Sequence, residues 1–195
     1  LGFLEPDDLA LLDAQGQQLS GKRASKTMAL HRKIYEATDH ALGSWPAQCV
    51  IHTHSWASMA ISSLECGLLP LTQTAMRFLK ISYHNYEGVV LDESEQESLC
   101  KDLGMSEAMI LRNHGLLSCG PTIADAFYEI YQLQRACEVQ VACQSTGAPL
   151  TFPSDAVARH TASQYQGMVR DGTDVRHVYG AMMRWMVDKD PSFLE

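Results

Sequence analysis

Apolar and polar positions along the 195-residue chain alternate between two periods, one suited to strands and one to helices. Cys49-Val50-Ile51-His52-Thr53-His54 is a short apolar run ending in two histidines, and it predicts a buried strand. Ala108-Met109-Ile110-Leu111 predicts a second, leading to His114, with Leu116 to Cys119 continuing it or pairing beside it after a turn at Gly115. Leu9–Leu12 and Gln18-Leu19 read as short strands around the turn Asp13-Ala14-Gln15-Gly16. Leu79–Tyr83 reads as another strand, and Tyr83–Gly88 as a loop.

Helical spacing fills the gaps. Ser25 is a candidate N-cap for a helix with Met28, His31 and Tyr35 on one face and Leu30 and Ile34 beside it, ending near Gly43-Ser44-Trp45-Pro46. Ser55 caps a predicted helix running to Cys66-Gly67. Leu68–Leu71 is extended, and Thr72–Phe78 is a short helix. Asp92–Leu103 predicts a polar, surface-type helix ended by Gly104. Pro121 suits the first turn of a long helix, along which Ile123, Phe127, Ile130, Leu133, Cys137 and Val141 recur every three or four residues up to Ser145-Thr146-Gly147. Two weaker helical stretches follow, Asp155–Met168 and Val175–Asp188.

Composition narrows the function classes. The length suits a single domain with a real core. A net charge of −8 without a basic patch argues against nucleic acid as a partner. Neither an apolar run of roughly 20 residues nor a signal peptide is visible. The six cysteines include no C-x-x-C pair and mostly lie in apolar segments, so they read as reduced core residues of a cytoplasmic protein. The chain opens on Leu1, and an N-terminal segment is expected to be missing. No G-x-G-x-x-G or Walker loop is present, which argues against a nucleotide cofactor.

The candidate chemistry lies in the histidines. Strand geometry puts His52 and His54 on one face, where two imidazoles can grip one metal ion. His114, at the end of a second apolar run, is the best third ligand, and three nitrogen ligands leave a position open for catalysis. The bland alternative is three ordinary polar residues in turns. Imidazoles suit zinc, and also iron, nickel, cobalt and copper.

In combination, Val50-Ile51-His52-Thr53-His54-Ser55, Leu68-Leu69-Pro70-Leu71, Tyr83-His84-Asn85-Tyr86-Glu87-Gly88 and Ile110-Leu111-Arg112-Asn113-His114-Gly115-Leu116-Leu117 resemble the class II aldolase/adducin family. Ala126-Phe127, Gln134-Arg135-Ala136-Cys137, Arg184-Trp185 and Asp190-Pro191-Ser192 extend the resemblance over nearly the whole chain, closest to a bacterial adducin-like branch. The resemblance implies a three-layer αβα sandwich around a mostly antiparallel central sheet. It implies a divalent metal, typically zinc, on His52, His54 and His114. It also implies a homo-oligomer, often a tetramer, with sites near subunit interfaces.

The implied activity is that of a lyase on a small hydroxy-carbonyl or sugar-acid substrate. Cleavage would be aldol-type or decarboxylative, through a metal-bound enolate. The alternative is a non-catalytic adducin-like binding or assembly domain that retains the metal site. Two departures bear on this. The aldolases carry an acid/base glutamate four residues ahead of a helix histidine; if His31 is that histidine, Thr27 stands at its position, and a hydroxyl does not carry carboxylate proton transfer near neutral pH. The family's phosphate-binding turn aligns upstream of Leu1.

Other residues are open to two readings. His84, between Tyr83 and Tyr86, either faces the substrate or belongs to a structural turn. Glu36 is a substitute base or a solvated helix-face residue, and His31 packs under the site or is a core histidine. Arg112 binds an anionic group or makes a surface ion pair. Asn113 holds its loop, Gln73 and Thr74 are candidate ligand contacts, and His160 and His177 are expected in solvent. Met182, Met183 and Met186 suit packing or a subunit contact.

Overall fold

The computed structural model describes residues 6–25, 28–41, 47–88, 93–169 and 173–194. A two-stranded hairpin comes first, β1 (Leu11–Leu12) and β2 (Gln18–Ser20), followed by α1 (Met28–Ala41) and β3 (Cys49–Thr53). Next are α2 (Trp56–Ser62), α3 (Gln73–Met76), β4 (Ser82–His84) and α4 (Glu93–Leu103). The hairpin strands β5 (Ala108–Leu111) and β6 (Gly115–Gly120) precede the long α5 (Ile123–Ser145), and α6 (Asp155–Val169) and α7 (Thr173–Lys189) close the chain.

The main sheet has the order β3-β6-β5-β4. β6 runs antiparallel to both β3 and β5, while β4 lies parallel to β5. The inner strands β5 and β6 are buried along their whole length, on both faces. On one face Met109, Leu111, Leu117 and Cys119 pack with Leu30 and Ile34 of α1 and Leu99 and Leu103 of α4. On the other, Ala108, Ile110 and Leu116 pack with Ala57 and Ile61 of α2 and Ile130, Leu133 and Cys137 of α5. Successive residues of β5 thus belong to opposite cores, and the result is the expected αβα sandwich with a mostly antiparallel sheet.

Several boundaries move. α2 stops at Ser62, four residues short of Cys66. β4 starts at Ser82 and includes His84, where a loop was expected. Pro121 lies outside α5, because Thr122 takes the cap and its hydroxyl accepts from the Asp125 amide. The apolar stripe of α5 also divides. Ile123 is 61% exposed, and Phe127 turns toward Tyr131 and α7, where it meets the Tyr179 ring at 5.7 Å. A helix packed against both a sheet and another helix carries two apolar lines, which one period cannot separate. On α1 the buried line is Leu30, Ile34 and Thr38. Met28, His31 and Tyr35 line a cavity of about 750 Å³ between α1 and the first hairpin. α4 is less polar in context than in sequence, since Gln96, Leu99 and Leu103 are buried.

A buried ion pair joins the helices of one outer layer. The Arg77 guanidinium at the end of α3 donates through Nε and Nη2 to both carboxylate oxygens of Glu129 on α5, and both side chains are 7% exposed. Its plane also lies 4.9 Å from the Tyr128 ring centroid and 5.7 Å from that of Tyr165 on α6. Glu107, just before β5, hydrogen-bonds Glu129. Burial, then the Glu129 charge, push its carboxyl up to about 7, with Asp125 adding to the rise and Arg77 opposing it.

That shift predicts a pH dependence. The folded chain holds the Glu107 proton more tightly than the unfolded chain does, so the stabilisation is complete below the ordinary carboxyl pKa of 4.5 and is lost as pH rises through about 7. Urea denaturation at pH 5 and pH 8 should give the lower midpoint at pH 8. Glu107→Gln, which cannot ionise, should flatten that difference; an unchanged pH dependence in the variant would refute the assignment.

Candidate metal centre

Antiparallel pairing of β3 with β6 sets Thr53 opposite Leu116 and His52 opposite Leu117. Just beyond that end of the ladder the chain leaves β3 at His54 and enters β6 from the Arg112-Asn113-His114 turn. His52, His54 and His114 therefore meet, with ring centroids 4.4, 4.8 and 4.7 Å apart and ligating nitrogens all within 4.8 Å of one another. Among the described residues this is the one group of three or more His, Cys, Asp or Glu side chains so arranged.

Backbone detail fixes each member. Gly115 allows the two strands to close: a Cβ there would stand 2.3 Å from the Thr53 carbonyl oxygen and 3.2 Å from His54 Cδ2. Asn113 takes a left-handed conformation with φ of 56°, which asparagine tolerates better than most residues. Its amide donates to the Ser62 carbonyl at 3.1 Å, and the His114 amide lies 3.2 Å from Ser62 Oγ. The end of α2 thus grips the turn that carries His114. Ser55, next to His54, caps α2 by accepting from the Ser58 amide and donates its own hydroxyl to Gln134 on α5.

Protonation states follow. His52 Nδ1 lies 2.7 Å from the Leu116 carbonyl oxygen, an acceptor, so that nitrogen carries the proton. His52 Nε2 is left with a lone pair, and it sits 2.6 Å from His54 Nε2. Burial, with the nearby His114, His54 and His31 rings adding to it, lowers the His52 pKa to about 4. Burial and His54 lower that of His114. Neutral imidazoles with convergent nitrogens are the donor set that a divalent transition metal takes. The backbone carbonyl behind His52 is the outer partner that orients such ligands.

The other candidates fall around this cluster. His84 is 4% exposed, with Nδ1 2.8 Å from the Asp102 carboxylate. It lines a cavity of about 10 Å³ together with Tyr86 and His114. Tyr86 is exposed, its ring 6.3 Å from that of His114. Arg112 makes no ion pair among the described residues: it donates to the Leu64 carbonyl at 2.7 Å and stacks over Tyr83 at 4.2 Å. Glu36 is exposed on α1, 3.4 Å from Arg32. His31 is half-buried, close enough to His52 to disfavour its charge, and its own pKa is lowered by burial. Gln73 is exposed at the start of α3, which packs on α5 and α6, and His160 and His177 are exposed. Thr27 lies outside the described residues. The sequence reading passed over Ser62, Gln134 and the close approach at Gly115. Gln134 and Gly115 stood in matched motifs, Gly115 as a turn, but neither with this role; Ser62 carried no signal of its own. No helix among the described residues is long and apolar enough to cross a membrane.

Comparison with known proteins agrees with the architecture. Residues 1–141 match the family described as Class II Aldolase and Adducin N-terminal domain. A Pseudomonas aeruginosa aldolase class 2 protein, whose name leaves its activity open, is 37% identical over 191 residues, 95% of this chain and 71% of that protein. Rat alpha-adducin is 36% identical over 161 residues, 81% of this chain and 20% of the adducin. The chain thus spans about a fifth of that relative's length. The crystal structure of an aldolase II superfamily protein from Pseudomonas syringae superposes with a TM-score of 0.86 at 32% identity, over 98% of this chain and 76% of that one. An L-fuculose 1-phosphate aldolase from Glaciozyma antarctica shares the fold, with a TM-score of 0.66 at 22% identity over 91% and 71% of the two chains. The chain belongs to the class II aldolase/adducin family.

Proposed function

We propose that the protein is a metal-dependent lyase that cleaves a carbon–carbon bond in a small hydroxy-carbonyl or sugar-acid substrate, by an aldol-type or decarboxylative route. The observation that carries this reading is the convergence of three imidazoles at one end of the β3–β6 ladder. His52, His54 and His114 would hold a divalent ion, with zinc the first choice. Such an ion supplies Lewis acidity toward a carbonyl oxygen and its neighbouring hydroxyl.

The chain's own part is to hold and orient. The Leu116 carbonyl keeps the proton of His52 on Nδ1 and leaves Nε2 free to bind. Ser62 holds the backbone of His114. Tyr86, exposed beside His114, borders the space a substrate would occupy. The first proton carrier is unassigned, because Thr27 replaces the expected glutamate. A homo-oligomer would cover the exposed Trp185 and Met186 of α7.

A second reading is favoured by two observations. Similarity to rat alpha-adducin extends over 161 residues of the chain, and Thr27 lacks the carboxylate that aldol chemistry in this family uses. On that reading the domain binds or assembles, and the metal is a retained feature.

Elemental analysis of untagged protein purified without added metal separates the readings. About one ion per chain supports the lyase reading and justifies screening hydroxy acids and sugar acids for cleavage. No metal and no uptake on titration supports the binding domain. His52→Ala and His114→Ala should each lose most of the metal with little change in circular dichroism; full occupancy in both variants would sink the ligand assignment. Thr27→Glu should tighten metal binding and change its pH dependence. An unaltered affinity and profile would show that this position does not face the site.

A further inference from the structure

His54 differs from its two partners in what holds it. It lies beyond the last residue of β3 and is exposed. Its neighbour Ser55 is tied down on both sides, and the tie runs to α5, which packs with α2 on one face of the sheet. Ser55 Oγ accepts from the Ser58 amide at 3.2 Å, so its hydrogen is free to point elsewhere, and it donates to Gln134 Oε1. Gln134 Nε2 in turn donates to Glu138 Oε1 at 2.9 Å, one turn further along α5.

The direction of this chain is forced. A carboxylate can only accept, so Glu138 selects the amide end of Gln134, which leaves Gln134 Oε1 for Ser55. Arg135 donates to the other Glu138 oxygen and holds it in turn. Reversing any link would set two donors or two acceptors face to face.

We infer that Gln134 is a positioning residue for the histidine cluster: oriented by Glu138, it holds the Ser55 hydroxyl and thereby fixes where His54 presents its imidazole. α5 is the most extensive helix in the core, with Ile130, Leu133 and Cys137 packed under the sheet, so the anchor is rigid. The chain does for His54, through one intervening residue, what the Leu116 carbonyl does for His52 directly. Its consequence for metal affinity rests on the proposed three-histidine site. Its consequence for the His54 ring does not.

Gln140 provides the control. It lies on the same helix, is 1% exposed, and bridges loop backbone by accepting from the Leu69 amide at 2.7 Å and donating to the Gly67 carbonyl at 2.8 Å. A purely structural effect of losing a glutamine from α5 should appear there as well.

The test is the imidazole NMR spectrum of the metal-free protein, with His54 assigned by its absence in His54→Ala. Gln134→Leu should shift or broaden the His54 ring signals and lower zinc affinity about tenfold. Gln134→Glu combined with Glu138→Gln, which keeps an acceptor for Ser55 and an amide donor between the two residues, should restore much of both. Gln140→Leu should lower thermal stability and leave the His54 signals in place. If Gln134→Leu fails to fold, Glu138→Leu should move the same signals by a smaller amount. Unchanged His54 signals in Gln134→Leu, or an equal change in Gln140→Leu, would overturn the inference. Should the wild-type protein take up no zinc, the lyase reading fails, and the ring signals still decide the role of Gln134.

Discussion

The β3–β6 ladder is the constraint on which the rest of the site depends. Its register sets Thr53 against Leu116, and it can close there because residue 115 has no side chain to meet the Thr53 carbonyl. That approach brings the Leu116 carbonyl onto His52 Nδ1 and delivers His114 from the adjoining turn. A shift of one residue would turn His52 to the other face of the sheet and separate it from His114.

Two cores support that ladder from opposite sides. β5 and β6 send alternate residues into each, so the register that orders the histidines is also the one that buries Met109, Leu116 and Leu117 completely. Slippage would cost both cores at once. The site is thus carried by the most heavily specified part of the fold, while Tyr86 beside His114 is exposed.

Polar groups tie these layers together in two contrasting ways. Arg77, Glu129 and Glu107 form a compact buried group in which two carboxyls compete for one guanidinium, and one of them holds its proton to about pH 7. The Ser55-Gln134-Glu138 chain has a single allowed direction. The first joins helices to one another and responds to pH; the second links α5 to the histidine end of β3.

By itself the sequence determined the two-sided strands, the long helix, the family and the three histidines that belong together. Those features follow from local period and from residue types that few other roles require. Strand ends and helix caps were legible to within a few residues, as with Pro121, expected in the first turn of α5 and found just before its cap Thr122. The tertiary structure alone decided which side of each amphipathic helix faces what. Phe127 left the apparent core stripe for α7 because a helix periodicity counts apolar residues without saying how many neighbours they have. It likewise decided that Arg112 is spent on Leu64 and Tyr83, and that Ser62 and Gln134, ordinary polar residues in sequence, hold two of the histidines. Those contacts join residues 29 to 79 positions apart, a distance over which no local pattern carries information.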